Sequence, residues 1–188
     1  VKNSAAVQNP ADDWEFLLWE PGPPPRRPPR RARLLAAART VRAARLLRRR
    51  GWSEAQRYLR SLRPTVRPET EPAEAIGLAR REVLSCLTAL RPADPDALCL
   101  ARSYALAVYL TTLGLPVEVV VARQRTSIGG RFACHAWAEL HGEVLADIPG
   151  VRTGFTVLQR FGSEHVPGSE HVPGSGYARD SGQLRGGV

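Results

Sequence analysis

The chain has 188 residues, 43% hydrophobic, but only 6% are aromatic and Met is absent, so any core must be built from Leu, Val and Ala. That length holds one compact domain and not comfortably two. Lys and Arg number 27 against 18 Asp and Glu, a net charge of +9 that favours anionic partners, while three cysteines argue against a disulfide framework.

No apolar run is long enough to span a bilayer, and the first residues lack the basic-then-apolar order of a signal peptide. A reducing, cytoplasmic setting is the expectation, and it suits a free thiol that does chemistry. Residues 1–31 read as an unstructured, Pro-rich extension. Inside it Trp14, Phe16, Leu17, Leu18 and Trp19 form a short greasy patch that would dock on the domain or on a partner. Pro21, Pro23, Pro24, Pro25, Pro28 and Pro29 exclude helix and favour an extended, polyproline-like linker.

From Ala32 to Arg50 strong helix formers run without a breaker until Gly51. Arg39, Arg42, Arg45 and Arg48 recur at helical spacing and keep the Leu residues off a single stripe. The basic run reads as a solvated helix surface and not as a specific nucleic-acid site. A second helix is expected over 53–62 and a third over 73–90, the latter with Ile76, Ala79, Val83, Leu84, Leu87 and Leu90 at helical spacing. Asp94-Pro95-Asp96 reads as the start of a further helix, with Asp94 capping and Pro95 in the first position. That helix is expected to end at Gly114-Leu115-Pro116. Strands are expected over 117–122, 131–140 and 143–147, with turns at 127–130 and at His141-Gly142. After Phe161 the repeat Gly-Ser-Glu-His-Val-Pro, at 162–167 and 168–173, is too short and polar to bury anything and reads as a disordered tail.

Cys99 falls near the start of its expected helix, where unpaired backbone N–H groups and the helix dipole favour a thiolate. A small buried hydrophobe is the other reading of a cysteine taken alone. In the strand around His135, alternation puts Phe132, Cys134, Ala136, Ala138 and Leu140 on one apolar face and His135, Trp137 and Glu139 on the other. His135 is the candidate base for the thiol, and Trp137 a candidate wall of the substrate cleft.

Hairpin register tests the third member. A three-residue turn, Leu140-His141-Gly142, would pair Glu139 with Glu143 and His135 with Asp147, letting the carboxylate orient the imidazole. A two-residue turn would put Ile148 opposite His135 and send the carboxylate to the other face. The three-residue turn, or a bulge with the same effect, is the expectation. Cys86 reads as core, and no pair of cysteines has zinc-knuckle spacing, so no metal or other cofactor is expected.

The run Cys99-Leu-Ala-Arg-Ser-Tyr-Ala-Leu, then Leu113-Gly-Leu-Pro, then His135-Ala-Trp-Ala-Glu-Leu-His-Gly-Glu-Val-Leu-Ala-Asp147, resembles the transglutaminase-like leader peptidases of lasso-peptide biosynthesis. Pro149-Gly-Val and Phe155-Thr-Val-Leu resemble that family's closing segment, and the match covers roughly residues 32–161. The resemblance implies an α+β, papain- or transglutaminase-like fold. In it a helical amino-terminal part packs with a catalytic helix on a small antiparallel sheet, over 32–161. It further implies a cysteine peptidase, with Cys99, His135 and Asp147 as its triad, that removes the leader from a ribosomally made precursor peptide. Partners implied are that precursor, a winged-helix leader-recognition protein and an ATP-dependent cyclase of the asparagine-synthetase type. Residues 1–31 are too few for the recognition domain, so the expectation is that it acts in trans. Two readings of other classes stay open: an acyl transferase using the same triad, and a basic binding module or degenerate scaffold without catalysis.

Overall fold

The computed structural model describes residues 27–66, 71–126 and 132–163. Most of the extension, the 127–130 turn and the repeat tail lie outside the described residues. Helix α1 (Arg30–Ser61) contains one non-helical residue, Gly51, with φ 78 and ψ −174. The element is therefore two helices meeting at a kink, as the glycine in the sequence led one to expect.

Before the kink the buried stripe of α1 is alanine with one threonine: Ala32, Ala36, Thr40, Ala43 and Ala44 face inward, while Leu34 is 71% exposed. Small side chains let this helix lie close against its neighbours, which is how an Arg-rich segment without a Leu stripe still docks. Several of its arginines also bind the fold. Arg39 Nη1 donates to the Arg63 carbonyl at 2.8 Å, and Arg48 Nη1 donates to the Ala93 carbonyl at 2.8 Å.

Helix α2 (Pro72–Leu90) buries Ala75, Leu78, Ala79, Glu82, Cys86 and Leu90, whereas Leu84 is 73% exposed. The inward face is thus rotated from the expected one. The reason is Glu82, a residue that hydrophobic periodicity excludes from a core. It is held there by Arg33 Nε at 3.1 Å and by the Tyr109 hydroxyl at 2.9 Å. A buried carboxylate is tolerated when charge and hydrogen bonds meet it together.

Helix α3 (Cys99–Thr112) is buried at every position from Ser103 to Thr112. It packs against α1 and α2 on one side and against the sheet on the other. Its end is a Schellman closure: Gly114 has φ 85, Leu115 N donates to Leu110 O at 3.0 Å and Gly114 N to Thr111 O at 3.0 Å. The expected start at Asp94 is corrected. Asp94 to Ala97 form a turn, with Ala97 N donating to Asp94 O at 3.4 Å, and α3 begins at Cys99 with no side-chain cap. Asp followed by Pro is also the signature of the first two positions of a type I turn, and here that preference prevails.

Strands β1 (Val117–Gln124), β2 (Cys134–Leu140), β3 (Glu143–Leu145) and β4 (Phe155–Phe161) form one antiparallel sheet in the order β3-β2-β1-β4. The architecture is α+β, helices on one face of a small antiparallel sheet, as expected; β4 is an additional strand. Ala138 and Leu140 of β2 join the main core, while Trp137 joins a second cluster with Val120, Ala122, Val144 and Val151 on the opposite face. Both faces of β2 are covered, and the expected apolar face holds only from Ala136 onward: Cys134 and Phe132 are exposed. The domain also reaches past Phe161, for Ser163 is buried and its hydroxyl donates to Leu62 O at 2.8 Å.

At Gly51 an added Cβ would meet nothing within 4 Å, so the backbone alone sets the penalty for a side chain there. Gly51→Ala is expected to lower stability by about 1–3 kcal/mol, read from urea unfolding; an unchanged midpoint would show that the kink is not a constraint.

Candidate active site

The turn joining β2 and β3 is the two-residue one. Leu140 pairs with Glu143 and Glu139 with Val144, and His141 and Gly142 have φ 48 and 82. Both turn residues are left-handed, as a type I′ hairpin requires, and that turn matches the right-handed twist of the strands. Histidine is among the non-glycine residues that enter this region more readily. The expected three-residue turn is therefore corrected.

Continued along this register, the hairpin would send Asp147 to the wrong face. It does not continue. β3 ends at Leu145, and Ala146 has φ 58, a left-handed conformation that turns the chain out of the ladder. This irregularity lies beyond the ladder and is not the bulge expected as the alternative to a three-residue turn, but it has the same effect and places Asp147 Oδ2 2.7 Å from His135 Nε2. Asp147 Oδ1 accepts a second bond from Ile148 N at 2.8 Å. The two side chains are 27% and 25% exposed, so the pair is sheltered but reachable. A carboxylate can only accept, so Nε2 carries the proton of the neutral ring and the lone pair resides on Nδ1.

Cys99 is the first residue of α3 and is partly exposed. The later helix start strengthens its position. Among the first residues of a helix the backbone N–H groups have no intrahelical acceptor, and the dipole acts over that turn alone. Cys99, His135 and Asp147 line one cleft of about 290 Å³, together with Arg102, Ser103 and Ala146. Leu87, Leu106 and Leu145 add apolar wall. A larger hollow of about 470 Å³ on the α1 surface is lined by Arg39, Arg42, Tyr58 and Arg63 and holds neither thiol nor imidazole.

Trp137 also borders the cleft, but it is 1% exposed and its Nε1 donates to Glu139 Oε1 at 2.7 Å. Its ring lies 6.1 Å from that of His135, centroid to centroid. It backs the imidazole and has little surface to offer a substrate. Phe155, at the start of β4, lies 5.4 Å from the His135 ring on the same terms. Sequence reasoning missed Phe155 and Ser103, because neither residue type announces itself beside a Cys-His pair.

Glu139, expected on the His135 face, is buried in a cation cluster. It accepts from Arg152 Nε at 2.9 Å and from Arg160 Nη1 at 2.5 Å. Burial raises its carboxyl pKa, but hydrogen bonds from Arg160, Trp137 and Arg152 outweigh burial and leave it below the ordinary range. The other two thiols differ in kind. Burial pushes the Cys86 thiol up to about 12, against an opposing hydrogen bond with Thr40, so it stays protonated and inert, as a core cysteine should. Cys134, at the start of β2, is exposed and not buried as expected. Among the described residues no group of three or more His, Cys, Asp and Glu is placed to hold a metal ion.

The family model of the transglutaminase-like superfamily matches residues 37–160. The chain belongs to the transglutaminase-like superfamily. This superfamily commonly contains cysteine peptidases. No curated protein and no solved structure matches the chain. The superfamily match spans both helical layers and nearly all of the sheet, so it includes Cys99, His135 and Asp147 alike. Among the described residues no helix is long and apolar enough to cross a membrane.

Because the Glu139 carboxyl is held below its ordinary value, its contribution to stability is complete above the unfolded carboxylate pKa of about 4.3 and fades as pH falls through the lower folded value. Glu139→Gln is expected to cost about 1–3 kcal/mol at neutral pH. Thermal unfolding should show that difference shrinking below about pH 4. A difference independent of pH would contradict the assignment of charge to the buried group.

Proposed function

We propose that this protein is a cysteine peptidase that removes the leader from a ribosomally synthesised lasso precursor peptide. The observation that supports it most is the Asp147–His135 bond at 2.7 Å in the cleft that Cys99 lines at a helix tip. The order Cys99, His135-Ala-Trp, Asp147 and its resemblance to the lasso leader peptidases supply the narrower reading.

In this mechanism His135 Nδ1 takes the proton of the Cys99 thiol. The sulfur then attacks the carbonyl at the leader–core junction, forming the C–S bond. The C–N bond breaks as the imidazolium protonates the departing amine, which becomes the free amino group of the core. A water molecule, deprotonated by the same ring, attacks the thioester. The thiol is regenerated and the leader leaves as a carboxylic acid. Asp147 holds the ring in the tautomer with Nδ1 free and stabilises the imidazolium when it forms. The Cys99 backbone N–H, unpaired at the first turn of α3, is one donor for the oxyanion. No cofactor enters any step. The product amine suits a downstream ATP-dependent cyclase that closes the ring, and a winged-helix leader-recognition protein is the partner that delivers the precursor.

Cys99→Ala is expected to abolish cleavage of the precursor while leaving the unfolding midpoint within a few degrees of wild type. Asp147→Asn should keep the fold and lower kcat by roughly 10²- to 10⁴-fold, through loss of the tautomer. Mass spectrometry of precursor incubated with an added primary amine separates the chemistries: a free leader acid marks hydrolysis, a leader amide marks acyl transfer. Full activity in Cys99→Ala would remove the peptidase reading. Neighbouring genes lacking a short precursor frame and a cyclase would remove the lasso assignment and leave the chemistry.

A further inference from the structure

Ser103 sits one helical turn below Cys99, is 6% exposed and borders the cleft. Its hydroxyl lies 2.8 Å from the Cys99 carbonyl and 3.0 Å from the Ala136 carbonyl. The first contact is the ordinary back-bond of a serine within a helix. The second is not local: it crosses from α3 to β2 and ends on the residue that follows His135. Pairing between β2 and β3 ends at Ala138 and Leu145, so β3 no longer flanks β2 at Ala136. The gap left by β3 is where the cleft opens, and the Ala136 carbonyl there accepts from Ser103.

We propose that Ser103 is a positioning residue, a hydroxyl clamp that sets the separation of the Cys99 sulfur and the His135 ring. The inference rests on the peptidase reading for its kinetic consequence, though not for its chemical one. One proton shared between two carbonyls fixes the first turn of α3 against β2, where the main core otherwise offers apolar residues such as Leu106 and Ala138. Apolar contacts resist separation but are non-directional and tolerate sliding. A directional bond at this point resists the slide that would move sulfur past nitrogen. A misplacement of about 1 Å in such a pair can lower a rate by 10²-fold, so the clamp acts on turnover more than on substrate binding.

The test uses the full chain and two readouts. Ser103→Ala is expected to slow alkylation of Cys99 by iodoacetamide about fivefold or more at neutral pH, because that rate follows the thiolate population. Peptide mapping would assign the label; the exposed Cys134 serves as the reference for reagent reactivity, and labelling of the buried Cys86 would report general unfolding. With the precursor as substrate, kcat should fall about tenfold with KM within about twofold, the signature of a misaligned reacting group. Ser103→Thr, which keeps the hydroxyl, should restore most of both rates. If Ser103→Ala does not fold, Ser103→Thr and Ser103→Val, alike in shape and differing in the hydroxyl, carry the same comparison. A Cys99 alkylation rate within twofold of wild type in the variant without the hydroxyl would overturn the proposal. Failure of wild type to cleave any precursor, with the alkylation difference intact, would instead count against the peptidase reading alone.

Discussion

The burial of α3 on every side is the constraint from which the rest of the structure follows. A helix buried all round must be covered by two layers, here α1 and α2 on one side and the sheet on the other. Its first residues, from Cys99 to Arg102, are the part that escapes full burial. The thiol therefore sits at the point where the core meets solvent, with unpaired amides beside it. The same packing leaves no freedom to rotate α3, because Tyr104 is tied to the Ala55 carbonyl at 2.9 Å and Tyr109 to Glu82 at 2.9 Å. Two hydroxyls on one helix thus fix the direction in which Cys99 points.

On the other side of the cleft the same economy holds. Trp137 is anchored through Glu139 to Arg152 and Arg160, and it supports the imidazole from behind. The imidazole is oriented from in front by Asp147. Ala146 makes that orientation possible, because a non-glycine residue in the left-handed region carries about 1–2 kcal/mol of strain that the surrounding structure must hold. A strained residue immediately before the carboxylate that orients the His135 imidazole fits the association of backbone strain with functional sites.

The sequence reading went furthest where a rule has one outcome. Gly51 and Gly114 broke helices as expected, since φ near 80 is open to glycine at little cost. Cys99, His135 and Asp147 came together although the route to Asp147 differed. Both the three-residue turn and the two-residue turn with a kink deliver the carboxylate, and the sequence does not separate them. The errors share a cause. Asp94-Pro95 serves equally as a helix cap or a turn, and only the packing of α3 decides. The buried stripe of α1 was missed because alanine weighs little in any hydrophobic count. Glu82 was excluded from the core of α2 because its partners, Arg33 and Tyr109, lie 49 and 27 residues away. Ser103 and Phe155 gain their roles from tertiary neighbours that no local pattern records.

Sequence separation within the site bears on the order in which it assembles. His135 and Asp147 are 12 residues apart on one hairpin, closed by a two-residue turn. Contacts this local need little chain closure and form early in folding. Bringing Cys99 to them requires docking a helix that arises 36 positions before His135 (135 − 99) and is covered by two others. On that ground the His135–Asp147 pair is expected to form before Cys99 docks beside it. Under the proposed peptidase function, a nascent or partly folded chain would carry an oriented imidazole with no sulfur to activate, and so no means of cutting its neighbours until the whole domain has closed.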